Sequence, residues 1–231
     1  MKILNKIFIA IFSVIFGLEI MATIIMVIIF MSIWNSKNRK FRQIWAKLQR
    51  KCLFFEIETI GEPNLNADMM ILNHQSMLDI IVLEEVHPKN LCWIAKKEIL
   101  EMPIFGKILS VPKMIPIDRN NPRAMPKIIA EVKDRLEQNR PIMIFPEGTR
   151  SDGRSLLEFH SGAKIIAQKL NLKVQPIVIV GSKKILDTKR FIARPGGKLK
   201  IIYLDLVDTT KEDWFEKTRE TMEITLKQNL D

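Results

Sequence analysis

His74 and Asp79 stand five residues apart in Asn73-His74-Gln75-Ser76-Met77-Leu78-Asp79. An imidazole held by a carboxylate has a fixed tautomer and a stabilised cation, as a general base requires. On an unbroken helix five residues turn about 500°, leaving the two side chains ~140° apart. The pair can therefore meet only across a bend. An apolar stretch at 68–72 precedes the cluster and helical patterning follows from Met77, so a strand end feeding a helix supplies that bend. Ser76 suits the N-cap, with Asp79 in the first turn, where the helix dipole favours an anion. No serine sits in a nucleophile-elbow pattern, so such a base would act on a substrate's own hydroxyl. The spacing alone equally suits a capped helix with an incidental histidine.

A second cluster, Phe145-Pro146-Glu147-Gly148-Thr149-Arg150-Ser151, follows the apolar run 142–145. Gly148 permits an unusual backbone turn, and Arg150 presents a planar donor fork suited to phosphate. Thr149 and Ser151 add hydroxyls. Taken alone, the cluster also reads as a Pro-Gly turn at a strand end.

The elements that must position these residues alternate. Strands are expected at 56–60, 68–72, 91–95, 114–117, 142–145, 174–180 and 200–206. Helical segments are expected near 77–86, 104–109, 122–138, 162–170 and 211–228. This order predicts an α/β domain, a mixed sheet flanked by helices, spanning residues 56–231.

Ahead of it, residues 7–33 are apolar except for Ser13, Glu19, Thr23 and Ser32. As one helix this stretch measures ~40 Å, enough to cross a ~30 Å hydrocarbon core with tilt. It is too long for the core of a signal peptide, and Trp34 and a basic tract follow it. Residues 1–35 are thus expected to anchor the chain in a membrane. Glu19, an acid in the middle of that segment, leaves open whether it spans or bends back.

Residues 36–55 form a basic amphipathic helix. Phe41, Ile44, Trp45, Leu48, Cys52 and Phe55 fall on one face, with Arg42, Lys47, Arg50 and Lys51 off it. Such a helix docks on an anionic membrane surface or caps the domain. The chain carries 36 Lys and Arg against 26 Asp and Glu, a net charge of +10. Seven of the basic residues lie between Trp34 and Phe55, with no acid among them. That concentration fits a membrane surface and no nucleic acid. It also places the following domain on the cytosolic face. Cys52 and Cys92 alone make neither a disulfide framework nor a zinc site, and fit a reducing compartment.

Together the two clusters resemble the 1-acylglycerol-3-phosphate acyltransferase family of glycerolipid acyltransferases. Its Asn-His-x4-Asp motif is similar to Asn73, His74 and Asp79, and its Phe-Pro-Glu-Gly-Thr-Arg-Ser motif to residues 145–151. An intervening apolar-Asp-Arg motif resembles Ile115-Pro116-Ile117-Asp118-Arg119, and a Pro within a β-rich run resembles Val174-Gln175-Pro176-Ile177-Val178. Ala95-Lys96-Lys97-Glu98 is also similar. The resemblance covers about 68–180, with the motifs in family order.

The resemblance implies transfer of a fatty acyl group from an acyl thioester to a lysophospholipid hydroxyl, giving phosphatidic acid. The donor would be acyl-CoA or acyl-carrier protein. His74 would be the base and Asp79 its orienting partner. Arg150, Arg119 and Lys96 would hold the acceptor phosphate, with Gly148 and Thr149 beside them. Glu147 would help position the acceptor or the loop. Neither a metal nor an organic cofactor is implied. The chain departs from the family after the Arg-Ser motif, where Phe159-His160-Ser161-Gly162 replaces a basic residue before the glycine. His160 reads as a surface or structural residue, and His87 as a loop residue. A lysolipid or glycerol-phosphate acceptor of another kind is the near alternative. A non-catalytic membrane scaffold would leave both clusters unused, and a lipid hydrolase would lack its nucleophile.

Overall fold

The computed structural model describes residues 2–118 and 121–230. Two N-terminal helices, α1 (Lys2–Ile33) and α2 (Asn38–Leu53), lead into β1 (Glu56–Ile60), β2 (Met69–Leu72), α3 (Leu78–Val86) and β3 (Cys92–Lys96). Then come α4 (Lys97–Leu100), α5 (Lys107–Ser110), β4 (Ile115–Ile117), α6 (Met125–Glu137), β5 (Ile142–Ile144) and α7 (Gly162–Leu170). The chain closes with β6 (Val174–Val180), α8 (Ser182–Ile185), β7 (Leu186–Asp187), β8 (Ile192–Ala193), β9 (Lys198–Tyr203) and α9 (Trp214–Gln228).

Seven strands form one sheet in the order β1-β9-β6-β2-β5-β3-β4, and β7 and β8 make a separate hairpin. The run β6-β2-β5-β3-β4 is parallel. β9 is antiparallel to β6, and β1 is parallel to β9, so the sheet is mixed as expected. Every residue of β2, β5 and β6 is buried. Helices cover both faces of such strands, which explains their unbroken apolar sequences. Adjacent parallel strands β2 and β5 both end at one edge. That edge brings the clusters at 73–79 and 145–151 together.

α1 is a single unbroken helix of 32 residues, ~48 Å long. Ser13, Phe16, Ile20, Val27, Ile28 and Met31 face inward. Of the polar residues inside its apolar run, Ser13, Glu19 and Thr23 bond to the domain, and Ser32 is exposed. Ser13 Oγ accepts the Ala193 N–H at 2.9 Å. Glu19 Oε1 accepts from Gln49 Nε2 at 3.2 Å. Thr23 Oγ1 accepts from both Gln49 Nε2 and Trp45 Nε1 at 3.1 Å. Glu19 is therefore held by a protein amide on the domain side, and α1 needs no bend to accommodate it. Its outer side, including Ile7, Ile11, Leu18 and Ile29, is exposed.

The apolar stripe of α2 divides. Ile44 and Leu48 are exposed, whereas Phe55 is buried and Phe41, Trp45 and Cys52 pack against the core. Three of the seven basic residues are engaged by the domain. Arg42 is buried against Glu84 and donates to Asn90 Oδ1 at 2.6 Å. Arg50 grips Glu85 at 2.7 Å, and Arg39 donates to the Pro88 carbonyl. Lys37, Lys40, Lys47 and Lys51 remain exposed. α2 thus caps the domain through α3 and keeps an outer face of lysine, Ile44 and Leu48.

Glu84 Oε1 also accepts the Trp93 indole N–H at 2.7 Å. Glu84→Ala would leave a buried guanidinium and an indole without their acceptor. We expect it to lower unfolding free energy by about 3–5 kcal/mol, read by denaturant titration in detergent micelles. Arg42→Met with Glu84→Leu should recover the guanidinium's share of that loss, with the indole N–H still unpaired.

Candidate active site

The bend inferred between His74 and Asp79 is built by β2, β6 and the loop after β5. At the end of β2 the Asn73 amide donates to the Ile179 carbonyl at 2.9 Å and accepts its N–H at 2.7 Å. The next residue is stitched to the second cluster from both sides. The His74 N–H donates to Glu147 Oε1 at 2.7 Å, and the His74 carbonyl accepts the Ser151 N–H at 2.7 Å. α3 then starts at Leu78. Ser76 caps the N–H two residues on, and not that of Asp79. Its hydroxyl donates to the Leu186 carbonyl at 2.6 Å and accepts the Leu78 N–H at 3.2 Å. Asp79 instead reaches back over the turn, Oδ2 accepting the Gln75 and Ser76 N–H groups at 2.6 and 2.8 Å.

The same Oδ2 lies 2.8 Å from His74 Nδ1. Asp79 Oδ1 accepts the Ser182 hydroxyl, and both residues are fully buried. With a carboxylate facing Nδ1, that nitrogen carries the proton, and Nε2 is left with a free lone pair. The imidazole also stacks on Phe145, with ring centroids 3.9 Å apart at 18°, and Phe145 stacks on Trp93 at 5.4 Å. One ring nitrogen and one ring face are thus both constrained.

Glu147 sits behind this arrangement. It is buried, and its Oε2 accepts the Leu157 N–H at 2.8 Å while Oε1 takes His74. The resemblance gives it the acceptor or the loop to position; its carboxylate bridges two stretches of backbone and is absent from the cavity lining. Burial pushes its pKa up to about 7, against the pull of those two N–H donors, and the Asp79 charge adds to the rise. Next to it, Gly148 adopts φ +70°, and its N–H returns to the Phe145 carbonyl at 3.0 Å. A side chain in that left-handed conformation would be strained.

His74 lines a cavity of about 750 Å³ at the carboxyl ends of β2, β3 and β5, where open α/β sheets usually bind ligands. Its apolar wall includes Ile80, Trp93, Ile94, Ile128 and Ile144. Lys96, Gly148, Thr149 and Arg150 line its polar part. Arg150 is half-buried, and among the described residues its buried Nε has no protein partner. Asp118 and Asn121 also line the cavity, with Asp118 paired to Lys97 at 2.6 Å. Arg119 lies outside the described residues.

Two contributors escaped sequence reasoning. Ser182 is 103 positions from Asp79, and nothing in a local pattern links them. His160, read as a surface or structural residue, is exposed and also lines the cavity. The serines packed around the His74–Asp79 turn do not offer a nucleophile. Ser76 and Ser182 are fully buried and donate elsewhere, and buried Ser151 accepts the Gly153 N–H at 3.2 Å. The arrangement suits proton abstraction from a ligand hydroxyl, with a cationic group for an anion and an apolar chamber for a hydrocarbon chain.

A family model described as Acyltransferase matches residues 57–180. Over 203 residues the chain is 40% identical to a 1-acyl-sn-glycerol-3-phosphate acyltransferase of Helicobacter pylori, covering 85% of each. It is 30% identical over 212 residues to a chloroplastic 1-acyl-sn-glycerol-3-phosphate acyltransferase of Arabidopsis thaliana, covering 87% of this chain and 59% of that one. Its fold is similar to the crystal structure of a 1-acyl-sn-glycerophosphate acyltransferase from Thermotoga maritima. That match has a TM-score of 0.75 and 24% identity, covering 96% of this chain and 95% of the other.

Proposed function

Because the chain belongs to the 1-acyl-sn-glycerol-3-phosphate acyltransferase family, we propose that it acylates the free hydroxyl of 1-acylglycerol-3-phosphate to give phosphatidic acid, with acyl-CoA or acyl-carrier protein as donor. The observation that carries this reading is the His74–Asp79 pair, 2.8 Å apart, at a cavity that Arg150 also lines.

His74 Nε2 removes the proton from the acceptor hydroxyl as its oxygen attacks the thioester carbonyl. The tetrahedral intermediate collapses, the C–S bond breaks, and the thiolate recovers the proton from His74. Asp79 stabilises the transient imidazolium. Arg150 binds the phosphate through its planar fork, with Thr149 and Lys96 beside it and Arg119 assigned the same role by its motif. The apolar wall takes a fatty chain, and no metal or organic cofactor has a part in these steps.

The outer faces of α1 and α2 hold the protein on an anionic membrane. The lysines that follow α1 put the catalytic domain on the cytosolic side. Between residues 13 and 31, ~27 Å of α1, the inner side of the helix is occupied by the domain. Lipid therefore meets α1 along its outer side.

The deciding experiment is an acyl-transfer assay over a panel of lysolipid acceptors with each donor type. No transfer to any acceptor overturns the reading, and transfer only to phosphate-free acceptors overturns the role of Arg150. Arg150→Ala should weaken transition-state binding of the phosphate-bearing acceptor by about 1.5–3 kcal/mol, tenfold or more in kcat/KM. The donor KM should change little. Lysine should rescue only part of the loss, since it lacks the fork.

A further inference from the structure

We propose that the turn between α4 and α5 is a second lipid-inserting element, which docks the cavity side of the domain on the membrane. The proposal rests on the acyltransferase reading above and adds a membrane contact beyond the two N-terminal helices.

Leu100, Met102 and Ile104 project from this short turn with exposures of 38, 49 and 57%. Three large exposed apolar side chains within five residues mark a contact surface. The turn is held in place. Gly106 N–H bonds to the Met102 carbonyl at 2.8 Å, and a Cβ at Gly106 would collide with the Leu100 carbonyl. Behind the turn, Phe105, Ile108 and Val111 pack on Val27, Ile28 and Met31 of α1. Ile104 itself has φ +64°, a conformation that β-branched residues rarely adopt. Its outward side chain is kept despite a backbone cost.

Two features identify the partner as lipid. The turn is continuous with α1, whose exposed Met26, Ile29, Phe30 and Ile33 flank the packed residues. Its charges also offset one another. Between residues 97 and 107, Lys97 and Lys107 are matched by Glu98 and Glu101. An apolar tip without net charge fits hydrocarbon better than an acidic carrier protein. α4 borders the cavity, since Ile99 lines it next to Lys96 at the end of β3. A cavity docked on the membrane spares the acceptor's chain from crossing water, at about fourfold in partition per methylene.

The test compares one acceptor class in two physical states. Full-length protein carrying Leu100→Gln, Met102→Gln and Ile104→Asn is assayed on long-chain lysophosphatidate in vesicles and on a monomeric, water-soluble hexanoyl analogue. Asparagine tolerates positive φ, so the substitutions leave the turn intact. The KM for vesicle-held acceptor should rise about tenfold or more, and turnover of the soluble analogue should stay within about twofold. Vesicle co-sedimentation should not change, because α1 still anchors the chain. Equal losses on both acceptors, no loss on either, or a loss confined to carrier-protein donor would overturn the proposal, the last outcome making the turn a donor-docking surface.

A readout independent of turnover uses Ile104→Cys labelled with an environment-sensitive dye in a Cys52→Ser background, Cys92 being buried. Nitroxide lipids should quench the dye by about twofold or more in vesicles at low and high salt alike. An unquenched dye overturns the insertion even if the protein is active. A quenched dye on a protein that acylates nothing would overturn the acyltransferase reading alone.

Discussion

Replacing His74 by alanine is expected to lower kcat by ~10²–10⁴-fold or more while the protein stays folded. The imidazole is the one group at the cavity whose Nδ1 is fixed by a carboxylate, at 2.8 Å. Its backbone contacts to Glu147 and Ser151 survive the substitution, because both use main-chain atoms of residue 74. The turn should therefore persist, and circular dichroism and vesicle binding should match the parent. Asp79→Asn should cost less, since the base remains. Its amide, however, would place a donor against either the Gln75 and Ser76 N–H groups or the Ser182 hydroxyl. If a folded His74→Ala protein kept parental turnover in single-turnover assays with saturating acceptor, His74 would not be the base.

Glu147→Gln is the second large effect, with kcat expected to fall by roughly 10²-fold, as a misplacement of ~1 Å at a reacting group does. One carboxylate oxygen holds His74 N–H and the other Leu157 N–H, at 2.7 and 2.8 Å. An amide can accept for only one of them and turns an N–H₂ group toward the other. Stability should change with a distinct pH signature. The pKa of Glu147 is raised to about 7 in the folded protein, above its ordinary value of about 4.3. The folded state therefore binds a proton more tightly than the unfolded state does. The stability linked to that proton is complete below about pH 4 and declines as pH rises through about 7. It amounts to about 3 kcal/mol. Glu147→Gln cannot titrate, so the difference between variant and parent in unfolding free energy should shift in the variant's favour from pH 5 to pH 8. A constant difference across that range would mean that Glu147 is already ionised at pH 5. Taking the difference also cancels His87, whose pKa burial lowers to about 4 and whose linkage has the opposite sign.

The two clusters, their separation by an α/β crossover and the apolar segment ahead of them are local patterns, legible from residue order alone. Strand residues at 56–60 and 174–180 lie within the observed strands because both are short apolar or alternating runs bounded by turns. His74 and Asp79 were legible as a pair because the geometry that joins them is a single bend between neighbouring elements. Contacts between residues distant along the chain are not legible in that way. The motif leaves Glu147 either the acceptor or the loop to position, and the N–H groups that its oxygens hold lie 73 and 10 positions away. Ser182 completes the shell of Asp79 from the far end of β6. Arg42 and Arg50 were counted as surface charge until Glu84 and Glu85 of α3 drew them in. Glu19 was an anomaly in an apolar run until Gln49 faced it. A helical stripe fixes which side chains share a face, whereas the material covering that face, protein or lipid, depends on what the rest of the chain brings alongside.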